Sequence, residues 1–217
     1  KDILRQYEQD FGKHVDAKNL PRIRMVWQSI PIQLAKENKK FFFGQIKKGA
    51  RSSDFEIAIQ WLMDSGLIYK VNRVNEPHMP LKAYINMSAY KLFILDIGLL
   101  GALSDLPAKT ILEKDEIFVE FKGAFTEQYV LQQLICDTQY TPYYYGTDKS
   151  TFEQDFMIQM EDRIVPIEVK AEGNVYSQSL KAYCEKYHPK KAVRFSTLKY
   201  VDQGWMVNIP LYAISTL

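Results

Sequence analysis

Apolar residues recur at helical spacing through "PRIRMVWQSIPIQLAKEN", residues 21–38, where Ile23, Val26, Trp27, Ile30 and Leu34 share a face. Pro21 suits a first helical position, and Pro31 predicts a kink or the start of a second helix. A capping box, Ser53 with Glu56, predicts a helix beginning at Asp54, with Phe55, Ala58, Ile59 and Leu62 on its apolar side. Gly66 is placed to end it. "LIYKVNRV" and "LKAYINM", separated by the Pro-containing turn "NEPHMP", then read as two strands. "YKLFILDIGLLGALSDL", residues 90–106, reads as a strand entering a short helix, with a linker near 104–115. A long amphipathic helix follows over about 116–136. After it "PYYYGT", "FEQDFMI" and "RIVPIEVKAE" read as strands, residues 176–187 as a helix, "KAVRFST" as a strand and "WMVNIPLYAI" as the closing segment.

Helices followed by a two-stranded wing predict a winged helix-turn-helix over residues 1–104. The order α-β-β-β-α-β predicts a second, mixed-sheet domain over 105–217, so the fold class is α+β. Charge divides the same way: the net +2 of the chain is about +6 over residues 1–110 and −4 over 111–217, which suggests two modules with different tasks. Apolar content of 47% is that of a globular protein, and no apolar run reaches the roughly 18 residues of a membrane span. The polar start "KDILRQYEQD" has no signal-peptide pattern, and its lack of an initiating Met suggests an excised fragment. Cys136 and Cys184 form no CxxC pair and read as reduced thiols of a cytoplasmic protein.

The pattern Glu-x-Lys occurs at 37–39, 120–122 and 168–170, and about one chance occurrence is expected, so context must separate them. Only "EVK" at 168–170 ends an apolar strand, where residues two apart face the same way. Opposite charges there are either a solvated strand end or the acid and base of a catalytic site. A hairpin turn at 159–162 pairs Ile158 with Arg163 and Asp155 with Pro166. It places Asp155 on the face of Glu168 and Lys170, diagonal to Glu168 at a Cβ separation of roughly 7–8 Å. A slip of one residue would destroy this geometry. Glu127 lies on or beside the apolar face of its helix, either paired or metal-bound within or reaching water from the shoulder. A hard divalent ion suits such carboxylates, and a lysine beside it can orient or deprotonate a water for attack on a phosphodiester.

This arrangement resembles the PD-(D/E)xK nuclease superfamily, the restriction-endonuclease-like fold. Residues 20–217 also look like the C-terminal region of a prokaryotic AAA+-type ATPase family, through "LFILDIGLL", "FKGAFTEQYVLQQL", "PYYYGT", "EQDFMI", "VPIEVKAE", "SLKAYCEKYHPKKAVRFS" and "NIPLYAI". The resemblance implies metal coordination (Mg2+ or Mn2+) by Asp155, Glu168 and the Val169 carbonyl. It implies water handling by Lys170, and Glu127 orienting that water or completing the metal shell. It also implies DNA and an ATPase module of the same protein as partners; no membrane association is expected from the lack of a spanning run, and the oligomeric state is open. The phosphate-binding pattern GxxxxGK[ST] is absent from these residues, so ATP would be bound only in a module upstream. Asp155 follows Gln154 rather than the superfamily's common proline.

The expected recognition helix, "DFEIAIQWLMD", carries Asp54, Glu56 and Asp64 and no basic residue, which argues against base readout in the major groove. Lys47, Lys48, Arg51, Lys70 and Arg73 flank it and are candidate phosphate contacts. The run "YTPYYYG" reads as half-buried strand tyrosines rather than a stacking platform. "HPKKAVR" reads as a solvated charge cluster. His14, His78 and His188 have no metal-ligand spacing, and no Ser-His-Asp or Cys-His set can be assembled. The expectation is a metal-dependent DNA nuclease module. The alternative is the same fold retained for non-catalytic nucleic-acid binding or inter-domain contact.

Overall fold

A computed structural model describes residues 1–36, 39–107, 109–110, 119–147, 152–171 and 176–217. The acidic residue of the 37–39 motif and residues 116–118 of the expected long helix lie outside these. The chain divides into two compact units, residues 1–70 with 91–121 and residues 71–90 with 122–217.

The first unit contains α1 (Asp2–His14), α2 (Leu20–Leu34), the short α3 (Phe43–Ile46), α4 (Glu56–Asp64) and α5 (Ile97–Leu103). Trp27, with no exposed surface, anchors its core. Phe11 meets the Trp27 ring edge-on at 5.8 Å and the Trp61 ring at 5.4 Å, the favoured geometry for ring quadrupoles. α2 runs on through Pro31 to Leu34, and no second helix starts there. Pro31 sits in the last turn, close to where the helix ends in any case. Gln33, buried, accepts from the Phe42 backbone N–H at 2.6 Å and so fixes the chain after α2.

The helix expected from Asp54 begins later. Asp54 Oδ2 accepts the Arg51 backbone N–H at 2.9 Å, closing a 3-10 turn over Ser52–Asp54, and α4 starts at Glu56. At α5 the sequence is literal: Asp96 Oδ1 accepts from Leu99 N at 2.8 Å and caps the helix.

Eight strands form one mixed sheet in the order β2-β1-β3-β4-β5-β6-β8-β7. They are β1 (Ile68–Val74), β2 (Ile85–Ile94), β3 (Tyr143–Gly146), β4 (Glu153–Met160), β5 (Arg163–Lys170), β6 (Val193–Ser196), β7 (Val201–Asp202) and β8 (Val207–Pro210). β7 is an addition that the sequence pattern did not announce. Two further helices are α6 (Val119–Asp137), of which residues 122–137 belong to the second unit, and α7 (Gln178–Tyr187).

Residues 71–74 and 85–90 of the wing hairpin belong to the second unit, because β1 pairs in parallel with β3 through Arg73↔Tyr144 and Val74↔Tyr145. The wing is therefore a continuation of the sheet. With β1 on one side and β4 on the other, β3 is interior, and Tyr143, Tyr144 and Tyr145 are all buried rather than half-buried. Tyr145 and Tyr187 share a 2.7 Å hydroxyl contact, and Tyr183 and Met157 pack beside them.

The β4–β5 hairpin sets the site. Its register is Met160↔Arg163, Ile158↔Val165, Met157↔Pro166 and Phe156↔Ile167. The turn holds only Glu161 and Asp162, with Glu161 at φ 42°. This is a shift of two residues from the four-residue turn expected, so the parity of faces survives. The paired register runs to Phe156↔Ile167, β4 carries an irregularity between Gln154 and Met157, and Asp155 is tied to β5 through its side chain at Val169.

Candidate functional site

Along β5, side chains alternate, and Glu168 and Lys170 share one face while Val169 faces the other. The parallel pairing of β5 with β6 sets Glu168 beside Arg194 and Lys170 beside Ser196, and β8 sets Asn208 beside Arg194. Glu168, Lys170, Arg194, Ser196 and Asn208 therefore lie on one face of three neighbouring strands, and the charge of Asp155 on β4 acts on Lys170. Leu180 of α7 packs with Ala192 and Met206, and Tyr183 with Met157, on the same face.

Lys170 Nζ lies 2.7 Å from Glu168 Oε1, and the lysine side chain remains 31% exposed while the carboxylate is at 7%. Asp155 Oδ2 accepts the Val169 backbone N–H at 2.7 Å, tying the carboxylate to the strand that carries the Glu-x-Lys pair. Glu127 is buried, so the shoulder position is excluded, and its charge acts on both Glu168 and Lys170. Burial raises the Glu168 carboxyl above its ordinary range, Glu127 adds to this, and Lys170 and Arg194 oppose it. Burial alone would lower Lys170, but Glu168, then Asp155 and Glu127, outweigh it and raise the amine.

Sequence reasoning did not find Arg194, Ser196 and Asn208. Arg194 is 1% exposed, so it is no part of a solvated cluster. Its Nε donates to Asn208 Oδ1 at 2.8 Å, as does Ser196 Oγ at 2.8 Å. Asn208 Nδ2 in turn donates to the carbonyls of Leu198 and Lys199 at 3.3 and 2.9 Å. A buried guanidinium is thus held by a fixed amide, facing a carboxylate. The one available signal was period two: polar residues at 194, 196 and 208 alternate with Val193, Phe195, Val207 and Ile209.

The basic residues of the wing region separate. Lys47, Lys48 and Arg51 are exposed, and the first two line a depression of about 390 Å³ with Arg22 and Asp54. Lys70 is half-buried, and burial lowers its amine against the opposing pull of Glu56. Arg73 is 7% exposed within the sheet, which removes it as a surface grip on phosphate.

Among the described residues no group of three or more His, Cys, Asp or Glu is placed to hold a metal ion. Two carboxylates on adjacent strands, Asp155 and Glu168, nevertheless suit a cation that takes one or two carboxylates and keeps several waters. The donor set is all oxygen, which is the chemistry of Mg2+ or Mn2+ rather than of zinc.

Fold and site together define an α+β protein with an acid–lysine constellation on one face of a mixed sheet. Residues 1–110 match the domain of unknown function DUF8612, and the chain belongs to that family. Residues 122–213 match a second domain of unknown function, DUF4143, often found in the C-terminal regions of AAA-type ATPases. No curated protein and no solved structure matches the chain. Among the described residues no helix is long and apolar enough to cross a membrane.

Proposed function

We propose that the second unit is a nuclease-like module that hydrolyses phosphodiester bonds in DNA with a divalent cation, working in the C-terminal region of an AAA+-type ATPase. The observation that carries the reading is the hairpin, which ties Asp155 Oδ2 to the backbone N–H of Val169, the residue between Glu168 and Lys170, which share a face. Asp155 and Glu168 would hold the ion, with the Val169 carbonyl as a further oxygen donor. When bound, Mg2+ or Mn2+ supplies charge stabilisation at the phosphate oxygens. Lys170, held in place by its ion pair with Glu168 and kept charged by the surrounding carboxylates, would orient a water for in-line attack and offset negative charge at the phosphate. Glu127, buried and electrostatically coupled to both residues, fixes the protonation balance of the pair. Arg194 offsets the concentration of negative charge. Lys47, Lys48 and Arg51 provide a sequence-independent grip on the DNA backbone.

A second reading keeps the fold for non-catalytic nucleic-acid binding or inter-domain contact. It is favoured by the fact that Glu168 already has Lys170 at 2.7 Å and Arg194 beside it, the environment of a structural ion pair. The acidic first turn of α4, opened by Glu56, also speaks against major-groove readout.

Calorimetric titration of Mn2+ into the wild type and into Asp155→Ala/Glu168→Ala separates the two. Saturable binding, lost in the double variant and kept in Lys170→Ala, is the expected result. Absence of binding by the folded wild type, alone and with duplex DNA present, would move the assignment to the non-catalytic reading.

A further inference from the structure

A groove of about 410 Å³ opens at the other end of the parallel strands from Lys170, where the chain enters β6 and β8. Its lining includes Lys190, Lys191, Asp202, Trp205 and Met206. Along β6, Ala192 of its lining is two residues, roughly 7 Å, from Arg194, the cross-strand neighbour of Glu168.

Three observations give the groove a chemistry. First, Trp205 is 40% exposed, whereas Trp27 has no exposed surface. Its turn is built to present it: Asp202 Oδ1 accepts from Gly204 N at 2.7 Å, and Gly204 holds φ 79°, which any side chain there would strain. Second, Lys191 is half-buried and has no acidic partner among the described residues. The charge that acts on it is the like charge of Arg163, which adds to the effect of burial in weakening its hold on a proton. A half-desolvated cation beside a second cation is relieved by an anion. Third, Lys190 is tied to Asp162 at 2.6 Å, but both side chains are more than half exposed, so the pair is cheaply exchanged for another anion. Asp202, the acid in the lining, is engaged with its own turn.

An aromatic face with an unbalanced lysine next to it matches a base and its adjoining phosphate. The base must be unstacked to lie on an indole, which selects a single strand over a duplex. We propose that this groove binds single-stranded nucleic acid, a base stacking on Trp205 and the neighbouring phosphate held by Lys191 and Lys190. The proposal rests on the nucleic-acid reading of the unit but not on its metal chemistry.

The test uses the full chain in the presence of a chelator, so that the carboxylate row takes no part. A labelled thymidine oligonucleotide of about 12 nucleotides is titrated by fluorescence anisotropy. Saturable binding that weakens with added salt is expected, with loss of about tenfold or more in Trp205→Ala and in Lys191→Glu. Trp205→Phe and Lys191→Arg should bind nearly as the wild type does. Circular dichroism and melting curves establish that each variant is folded. Equal affinity of wild type, Trp205→Ala and Lys191→Glu would overturn the proposal, as would no binding by the folded wild type. Displacement of the oligonucleotide by a poly-glutamate peptide at equal charge concentration would also overturn it, in favour of an acidic protein segment. A failed Mn2+ titration leaves this result untouched, and the failure of this one leaves the metal site untouched.

Discussion

Replacing Arg194 with methionine tests whether the polar row is a structural device or a tolerated cost. The side chain is among the largest that are fully buried, at 1% exposure, so the substitution acts in the interior. Methionine keeps most of the apolar stem and its packing but removes the charge and the Nε–H that Asn208 Oδ1 accepts at 2.8 Å. A hydrogen bond involving a charged group is worth about 1.5–3 kcal/mol. Leaving a buried partner uncompensated costs up to about 3–5 kcal/mol. Two effects reduce the loss. Asn208 Oδ1 keeps Ser196 Oγ as a donor, and the desolvation that already pulls the Arg194 guanidinium downward in pKa is relieved. The expected net destabilisation is about 2–3 kcal/mol. Urea unfolding followed by far-ultraviolet circular dichroism reads it as a lower midpoint at unchanged slope. A double-mutant cycle with Glu168→Gln should give a coupling of about 1 kcal/mol or more, since the two residues are cross-strand neighbours. An Arg194→Met protein as stable as the wild type, with no coupling to Glu168, would refute the reasoning that the guanidinium is held for the sake of the carboxylate.

Two further outcomes follow from local geometry. Glu161→Gly should raise the urea midpoint by the equivalent of about 1 kcal/mol, because Glu161 holds φ 42° in the two-residue turn and glycine adopts that backbone without penalty. An unchanged or lower midpoint would show that the turn is not strained. Burial pushes the Cys184 thiol up to about 11, so its reactive thiolate appears only as pH rises toward that value. At mildly alkaline pH, iodoacetamide should modify the exposed Cys136 and spare Cys184, as peptide mass spectrometry will show. Equal labelling of both would contradict the burial argument.

How much of this was legible in the sequence depends on the range of the forces involved. α2, α4, α5 and the β4–β5 hairpin are local: apolar spacing, the Asp96 cap and strand alternation specify them within a dozen residues. The shared face of Glu168 and Lys170 was legible for the same reason, whereas the irregularity in β4 that sets Asp155 against Val169 left no local signal. The turn length was not legible, because "QMED" accommodates either a four-residue loop or a two-residue one with Glu161 left-handed. Arg194 was misread because its burial is non-local. Alternation in β6 gives its face, but Leu180 and Tyr183 from α7 pack on that face, and Asn208 from β8 turns a surface arginine into an interior one. The parallel pairing of Arg73 with Tyr144 leaves no local trace at all, since parallel partners share neither a turn nor a pattern.

That pairing also orders events in the life of the chain. The hairpin of β1 and β2 leaves the ribosome well before β3 exists, so its outer edge waits unpaired through the synthesis of the α5 and α6 segments. The matched segment 1–110 therefore supplies β1 as the sheet neighbour of β3 in the matched segment 122–213. Cut between them, the second would present the tyrosine-rich strand β3 as an open edge, the kind of surface that recruits other chains. Supplied together, the two pieces carry complementary edges and the means to find one another.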